Sequence, residues 1–172
     1  IGSDALGWLC GFSKQYPGIH YEINEADTYH LLSQFETNAI HLALLRTPFH
    51  TDSLTCKKLF TDSLVAVGQE SFFAASYSSG SNVSAHTADT SDSAAITLDA
   101  LAKLPLIVYR RWEHLLQKEF EDKNLSANWF CINDDARTTL YFVEMGMGVG
   151  IIPQSAATLV QKKGIVCRPV KN

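Results

Sequence analysis

The sequence predicts an α/β fold, and three stretches carry the prediction. The first runs from Phe130 to Ser155, FCINDDARTTLYFVEMGMGVGIIPQS. Trp129 to Ile132 is a short apolar run, and Asn133, Asp134 and Asp135 supply helix-capping side chains ahead of a helix from Ala136 to Met145, on which Leu140 and Val143 share a face. Gly146, Gly148 and Gly150 break that helix and lead into Val149, Ile151 and Ile152, a strand that Pro153 ends. The second stretch repeats the pattern: Ile19, Tyr21 and Ile23 alternate as a strand, Asp27 or Thr28 caps a helix carrying Leu31, Leu32 and Phe35, and Ile40 to Leu45 returns as a strand. In the third, the buried strand Leu104 to Tyr109 is closed by Arg110 and Arg111. An amphipathic helix, Trp112 to Asp122, follows with Leu115, Leu116 and Phe120 inward and Glu113, Lys118 and Glu121 outward.

The remaining elements fill in around these. Asp4 to Tyr16 places Leu6, Leu9 and Phe12 at helical spacing beside Trp8, until Tyr16-Pro17-Gly18 stops the helix. Leu59 to Val67 reads as a strand, ITLDALAK from Ile96 to Lys103 as a short helix, Ala156 to Gln161 as a helix and Ile165 to Val170 as a final strand. Between them, Ala74 to Ala95 is rich in Ser, Thr and Ala; it has too little apolar surface to offset the entropy of ordering it, and a mobile surface excursion is expected there. His86 within it reads as solvated, and Asn82-Val83-Ser84 as a chance match to a glycosylation sequon. An α/β domain that opens on a helix and stops on a strand is expected to be a segment of a longer protein.

At 172 residues, 46% hydrophobic and 19% charged, the chain can bury a real core as one compact domain or two small lobes. A net charge of −4 argues against a nucleic-acid surface within it, because phosphate binding needs clustered Lys and Arg. Cys10, Cys56, Cys131 and Cys167 show no CxxC and no zinc spacing, so reduced core thiols in a reducing compartment are expected, with no metal and no cofactor. No apolar run approaches the ~20 residues of a membrane span and no signal peptide opens the chain, which predicts a cytoplasmic protein without a membrane partner.

Strand-to-helix turns in open α/β sheets are where small molecules bind, because helix N-termini present free N–H groups there. Asn133 to Thr138 is thus expected to border a ligand site, the alternative being that the aspartates merely cap and solubilise a helix start. The GxGxG run is not a dinucleotide fingerprint, which requires GxGxxG with the strand before the helix. Nor do GxSxG, HExxH, P-loop or Cys/His motifs occur, and the histidines and acids form no readable catalytic constellation.

LLSQFETNAIHLALLRTPF, LVAVGQE, ITLDALAKLPLI and above all DDARTTLYFVEMGMGVGIIPQSA resemble the effector-binding domain of LysR-type transcriptional regulators, along nearly the whole chain. That resemblance implies two Rossmann-like lobes of periplasmic-binding-protein type 2 topology, here truncated at both ends. Residues 1–68 would form lobe I without its first strand, 69–153 lobe II with the mobile loop 74–95, and 154–172 a return towards lobe I. It further implies a small-molecule effector between the lobes, a homodimer or homotetramer, and DNA contact only through an N-terminal winged helix-turn-helix that this chain does not contain.

Carried over by position, the effector contacts fall on Thr28 in the loop Glu25 to Thr28, on Arg46, Thr47 and Pro48, on Tyr109, Arg110 and Trp112, and on Asn133, Asp134 and Arg137, with Ser3 standing in for a missing Ser/Thr loop. The family often has Gly and Asp where this chain has Asn38 and His41. Arg46, Arg110 and Arg137 are the cations able to hold a carboxylate, a surface ion pair being the equally open alternative for each. Asp134 and Asp135 already occupy the position where an anion would gain from the helix N-terminus, so the ligand's charge stays open. Two rival classes remain: a transport-type solute-binding protein of the same topology, and an enzyme.

Overall fold

The computed structural model describes residues 3–50, 54–74, 95–160 and 162–171. The chain forms two compact units, Ile1–Phe60 and Thr61–Asn172.

The first unit holds helices α1 (Ser3–Gln15) and α2 (Thr28–Glu36). Asp27 settles which residue caps α2: its carboxylate accepts the Tyr29 and His30 N–H groups at 2.9 and 3.0 Å. These bonds, the one from His30 foremost, hold its pKa below the ordinary value. Past the end of α2, Asn38 adopts φ 57°, a left-handed conformation that Gly or Asn accepts most readily. The strands expected at Ile19–Ile23 and Ile40–Leu45 form no ladder among the described residues. Alternation of apolar side chains says which face a segment would bury, but a strand also needs a partner for its backbone, and that information is non-local. No hydrophobic side chain is fully buried among the described residues of this unit; Leu6, Trp8 and Phe12 of α1 stay about half exposed, with Trp8 meeting Phe60 edge-on at 6.2 Å.

The second unit is a mixed six-stranded sheet with helices on both faces. In chain order it contains β1 (Leu64–Gln69), α3 (Glu70–Ala74), β2 (Ile96–Thr97), α4 (Leu98–Leu101), β3 (Leu106–Tyr109), α5 (Arg110–Asp122), β4 (Trp129–Asn133), α6 (Ala136–Glu144), β5 (Val149–Pro153), α7 (Gln154–Ala157) and β6 (Ile165–Lys171). The spatial order is β2-β6-β1-β5-β3-β4. β1 runs antiparallel to both of its neighbours, β5 and β6, whereas the β2–β6, β3–β4 and β3–β5 pairs are parallel. The Phe130–Ser155 stretch is thus a βαβ unit, as its sequence predicts, with β3 lying between its two strands. The expected mobile excursion, with His86 and the Asn82 sequon, lies outside the described residues apart from its end residues Ala74 and Ala95.

Alternation along the strands divides the core in two. Ala66, Leu106, Val108, Val149 and Ile151 face the α3, α4 and α5 side, where Phe73, Leu98, Leu101, Leu116 and Phe120 cover them. Val65, Val67, Ile107 and Ile152 face the other way, under Leu140 and Val143 of α6. Burying one such side chain contributes about 1.5–3 kcal/mol. Several boundaries differ from expectation. β1 starts at Leu64 rather than Leu59 because Asp62 and Ser63 bond to the start of α7 instead. Ile96–Thr97 pairs with β6, and the Thr97 hydroxyl then caps α4, so ITLDALAK is a strand end followed by one helical turn. Leu115 is 46% exposed, leaving Leu116 and Phe120 as the inward residues of α5. The thiols are free but not core: Cys10, Cys56 and Cys167 are exposed and Cys131 is half-buried. No described helix is long and apolar enough to cross a membrane.

The glycine turn between α6 and β5 is the tightest point of the sheet. A Cβ on Gly148 would lie 2.4 Å from the Pro105 carbonyl oxygen, a backbone atom that cannot swing aside, and one on Gly150 would lie 2.8 Å from methyls of Thr139 and Val143. Gly148→Ala should therefore lower the unfolding free energy by about 1–3 kcal/mol or more, read as a drop in urea midpoint. An unchanged midpoint would show that β5 is not held as closely to β3 as this packing requires.

Candidate functional site

Six of the predicted site residues come together at one edge of the second unit. Tyr109 and Asn133 are cross-strand partners, so the parallel strands β3 and β4 end level with one another. α5 follows β3 directly and α6 follows β4 after Asp134 and Asp135, so two helix N-termini open at this rim. β5 ends at the same edge, where Asp62 accepts the Ser155 N–H at 3.2 Å and the Ser155 hydroxyl at 2.7 Å.

The three consecutive residues after Ile132 take three different tasks. Asn133 braces the turn: its side-chain oxygen accepts the Asp135 N–H at 3.1 Å, and its amide nitrogen donates to the hydroxyl of fully buried Thr139 at 2.9 Å. Asp135 is the N-cap of α6, accepting the Arg137 and Thr138 N–H groups at 2.7 and 3.2 Å. Its carboxylate also receives the Arg137 guanidinium, Nε at 3.3 Å and Nη2 at 3.2 Å. Partial burial pushes the Asp135 carboxyl up, but the Arg137 side chain and the two backbone N–H groups outweigh it and hold its pKa below 3.8. Asp134 instead reaches Arg110, the first residue of α5, at 2.6 Å. That contact holds the guanidinium above its ordinary pKa, through the hydrogen bond first and the charge second. With side chains 58% and 76% exposed, the pair is screened by solvent and adds little to the stability of the fold.

Tyr109 is the residue before α5 and offers no side-chain cap. Trp112 lies half-buried against the core in the first turn of α5, under the Arg111 guanidinium at 5.7 Å from the ring centre. The indole N–H of Trp112 is shielded from solvent with no acceptor among the described residues. The other predicted residues belong to the first unit. Thr28 is buried at the start of α2, Arg46 is half-buried, Thr47 and Pro48 are exposed across a cis peptide bond, and Ser3 opens α1. Asp135 is one of the three capping side chains that the sequence offers, whereas Asp62 carries no local signal because its partner Ser155 lies 93 residues away. The described residues contain no group of three side chains arranged to ligate a metal. A depression of about 170 Å³ between α4 and α5, lined by Leu98, Leu115, Leu116 and Val170, includes none of the predicted residues.

The family model described as the LysR substrate binding domain matches residues 5–172. No curated relative matches the chain. Among solved structures, full-length CbnR complexed with its target DNA superposes with a TM-score of 0.73 at 13% identity, over 98% of this chain and 54% of that one. HinK, a LysR family transcriptional regulator from Pseudomonas aeruginosa, gives 0.71 at 15% identity over 97% of this chain and 54% of its own. The BenM effector binding domain with its effector benzoate gives 0.71 at 13% identity, over 95% and 69%. At these identities the likeness establishes the fold, of periplasmic-binding-protein type 2, and the chain spans about half the length of the full-length regulators it resembles.

Removing the α6 cap should be measurable. Asp135→Ala is expected to cost about 0.5–2 kcal/mol near neutral pH, by urea titration. Because the folded carboxyl titrates below its unfolded value of 3.8, its stabilisation is complete above that pH and is lost as pH falls through the lower, folded value. Stability curves of wild type and Asp135→Ala should therefore converge on acidification below about pH 4; curves that stay parallel would remove the cap from the account of the rim.

Proposed function

We infer the role of this chain from the premise that it belongs to the family of LysR substrate binding domains. It is the effector-sensing domain of a bacterial LysR-type transcriptional regulator, a cytoplasmic homodimer or homotetramer that meets DNA through a winged helix-turn-helix outside this chain. Residues 1–68 correspond to lobe I, 69–153 to lobe II and 154–172 to the return towards lobe I. The observation that carries the reading is the level ending of β3 and β4, which puts Tyr109, Arg110, Trp112, Asn133, Asp134 and Arg137 around two helix N-termini at the edge where open α/β sheets take small polar ligands. Thr28, Arg46, Thr47, Pro48 and Ser3 are candidate contacts on the first unit, to be tested separately.

The family is one of regulator domains rather than enzymes, and the match favours this reading over a transport solute-binding protein. Chemistry on the ligand is not needed for the task. An effector that makes a few more hydrogen bonds in one conformation than in another supplies the roughly 1–3 kcal/mol of coupling that regulation requires.

Titrating the purified protein with panels of organic acids, amines, amino acids and sugars tests the proposal. A ligand present at about 100 times its Kd adds ~2.7 kcal/mol of stability, and for a chain of this size should raise Tm by roughly 5–10 °C. Silence across all four panels would overturn the sensor reading.

A further inference from the structure

Two ion pairs stand at the rim, and they are not equally available. Arg137 and Asp135 form one pair, in which the Asp135 carboxylate also holds two backbone N–H groups of α6 and is therefore committed to the helix. Arg110 and Asp134 form the other at 2.6 Å, in which Asp134 bonds no backbone N–H of α6 and both side chains are more than half exposed. This second pair can open without disturbing the turn, because Asn133 and Asp135 already fix it.

An opened Arg110–Asp134 pair presents a cation and an anion side by side. A simple carboxylate would satisfy Arg110 while leaving Asp134 beside a like charge, and an amine would do the reverse. A neutral sugar would leave the pair intact and gain only neutral hydrogen bonds. A molecule carrying an ammonium and a carboxylate on neighbouring atoms replaces both halves, with charge-assisted bonds at each.

We propose that the effector is an amino-acid-like zwitterion, its carboxylate taken by Arg110 and its ammonium by Asp134. The proposal rests on the reading of this rim as the effector site.

Matched sets separate the charge requirement from the rest of the ligand: each L-amino acid beside the acid that lacks its amino group and the amine that lacks its carboxyl, for example phenylalanine, 3-phenylpropanoate and phenethylamine. At least one amino acid should raise Tm where its two partners do not. Arg110→Gln and Asp134→Asn should each weaken its binding by about tenfold or more in calorimetry, ~1.4 kcal/mol, while their urea midpoints stay with wild type. Binding of an acid or sugar without any amino acid, or an amino acid whose affinity Asp134→Asn leaves unchanged, overturns the zwitterion and leaves the sensor reading standing. Silence from every class overturns both.

Discussion

The approach of Gly148 to the Pro105 carbonyl is the constraint on which the rest of the second unit depends. The Val149 N–H donates to that same oxygen at 2.8 Å, and the buried run Val149–Pro153 then enters the sheet between β1 and β3. β5 is the strand shared by two differently built halves. On one side it pairs parallel with β3, and through β3 the sheet continues to β4; on the other it pairs antiparallel with β1, which in turn holds β6. A side chain at position 148 would push this strand off the Pro105 backbone and disturb both halves together.

Seating β5 has consequences at its far end. Its last residue, Pro153, pairs with Leu64, so Asp62 and Ser63 come level with Gln154 and Ser155. Four hydrogen bonds then join points 91 to 93 residues apart in the chain: two from Ser155 to the Asp62 carboxylate, one from the Ser63 hydroxyl to the Gln154 side chain, and one from the Gln154 N–H to the Ser63 carbonyl. The same edge carries the ends of β3 and β4. The rim therefore inherits its geometry from a core whose alternating faces are filled on both sides, and its polar groups stand on strand and helix ends rather than on a long free loop.

How much of this the sequence reveals depends on how local the cause is. The Phe130–Ser155 unit is legible because its apolar run, capping side chains and glycine turn all act within a few residues, and the structure places β4, α6 and β5 there. The choice among Asn133, Asp134 and Asp135 is not legible, since it turns on Thr139 and Arg110, one behind the turn and the other on a different helix. The Arg110–Asp134 contact joins the start of α5 to the β4–α6 turn, whose proximity follows from the parallel pairing of β3 with β4, a fact of topology rather than of composition. The alternating segments before Leu64 mislead for the same reason: period-two patterning is a property of one segment, whereas a ladder is a property of two.

Three adjacent polar residues with three tasks also explain how a rim can be firm and still receptive. Asn133 and Asp135 hold the β4–α6 turn through buried Thr139 and the helix backbone, so a ligand does not have to order that turn, and less of its binding energy goes into immobilisation. Asp134 lies between them, carried on the same fixed backbone but committed only to an exposed partner across the rim. Under the function proposed for this rim, recognition would fall to groups that can change partner at little cost, while the groups that keep the fold are already engaged. A sensor benefits from that separation, because contacts made and broken by the ligand then alter the protein's conformational balance without eroding its stability.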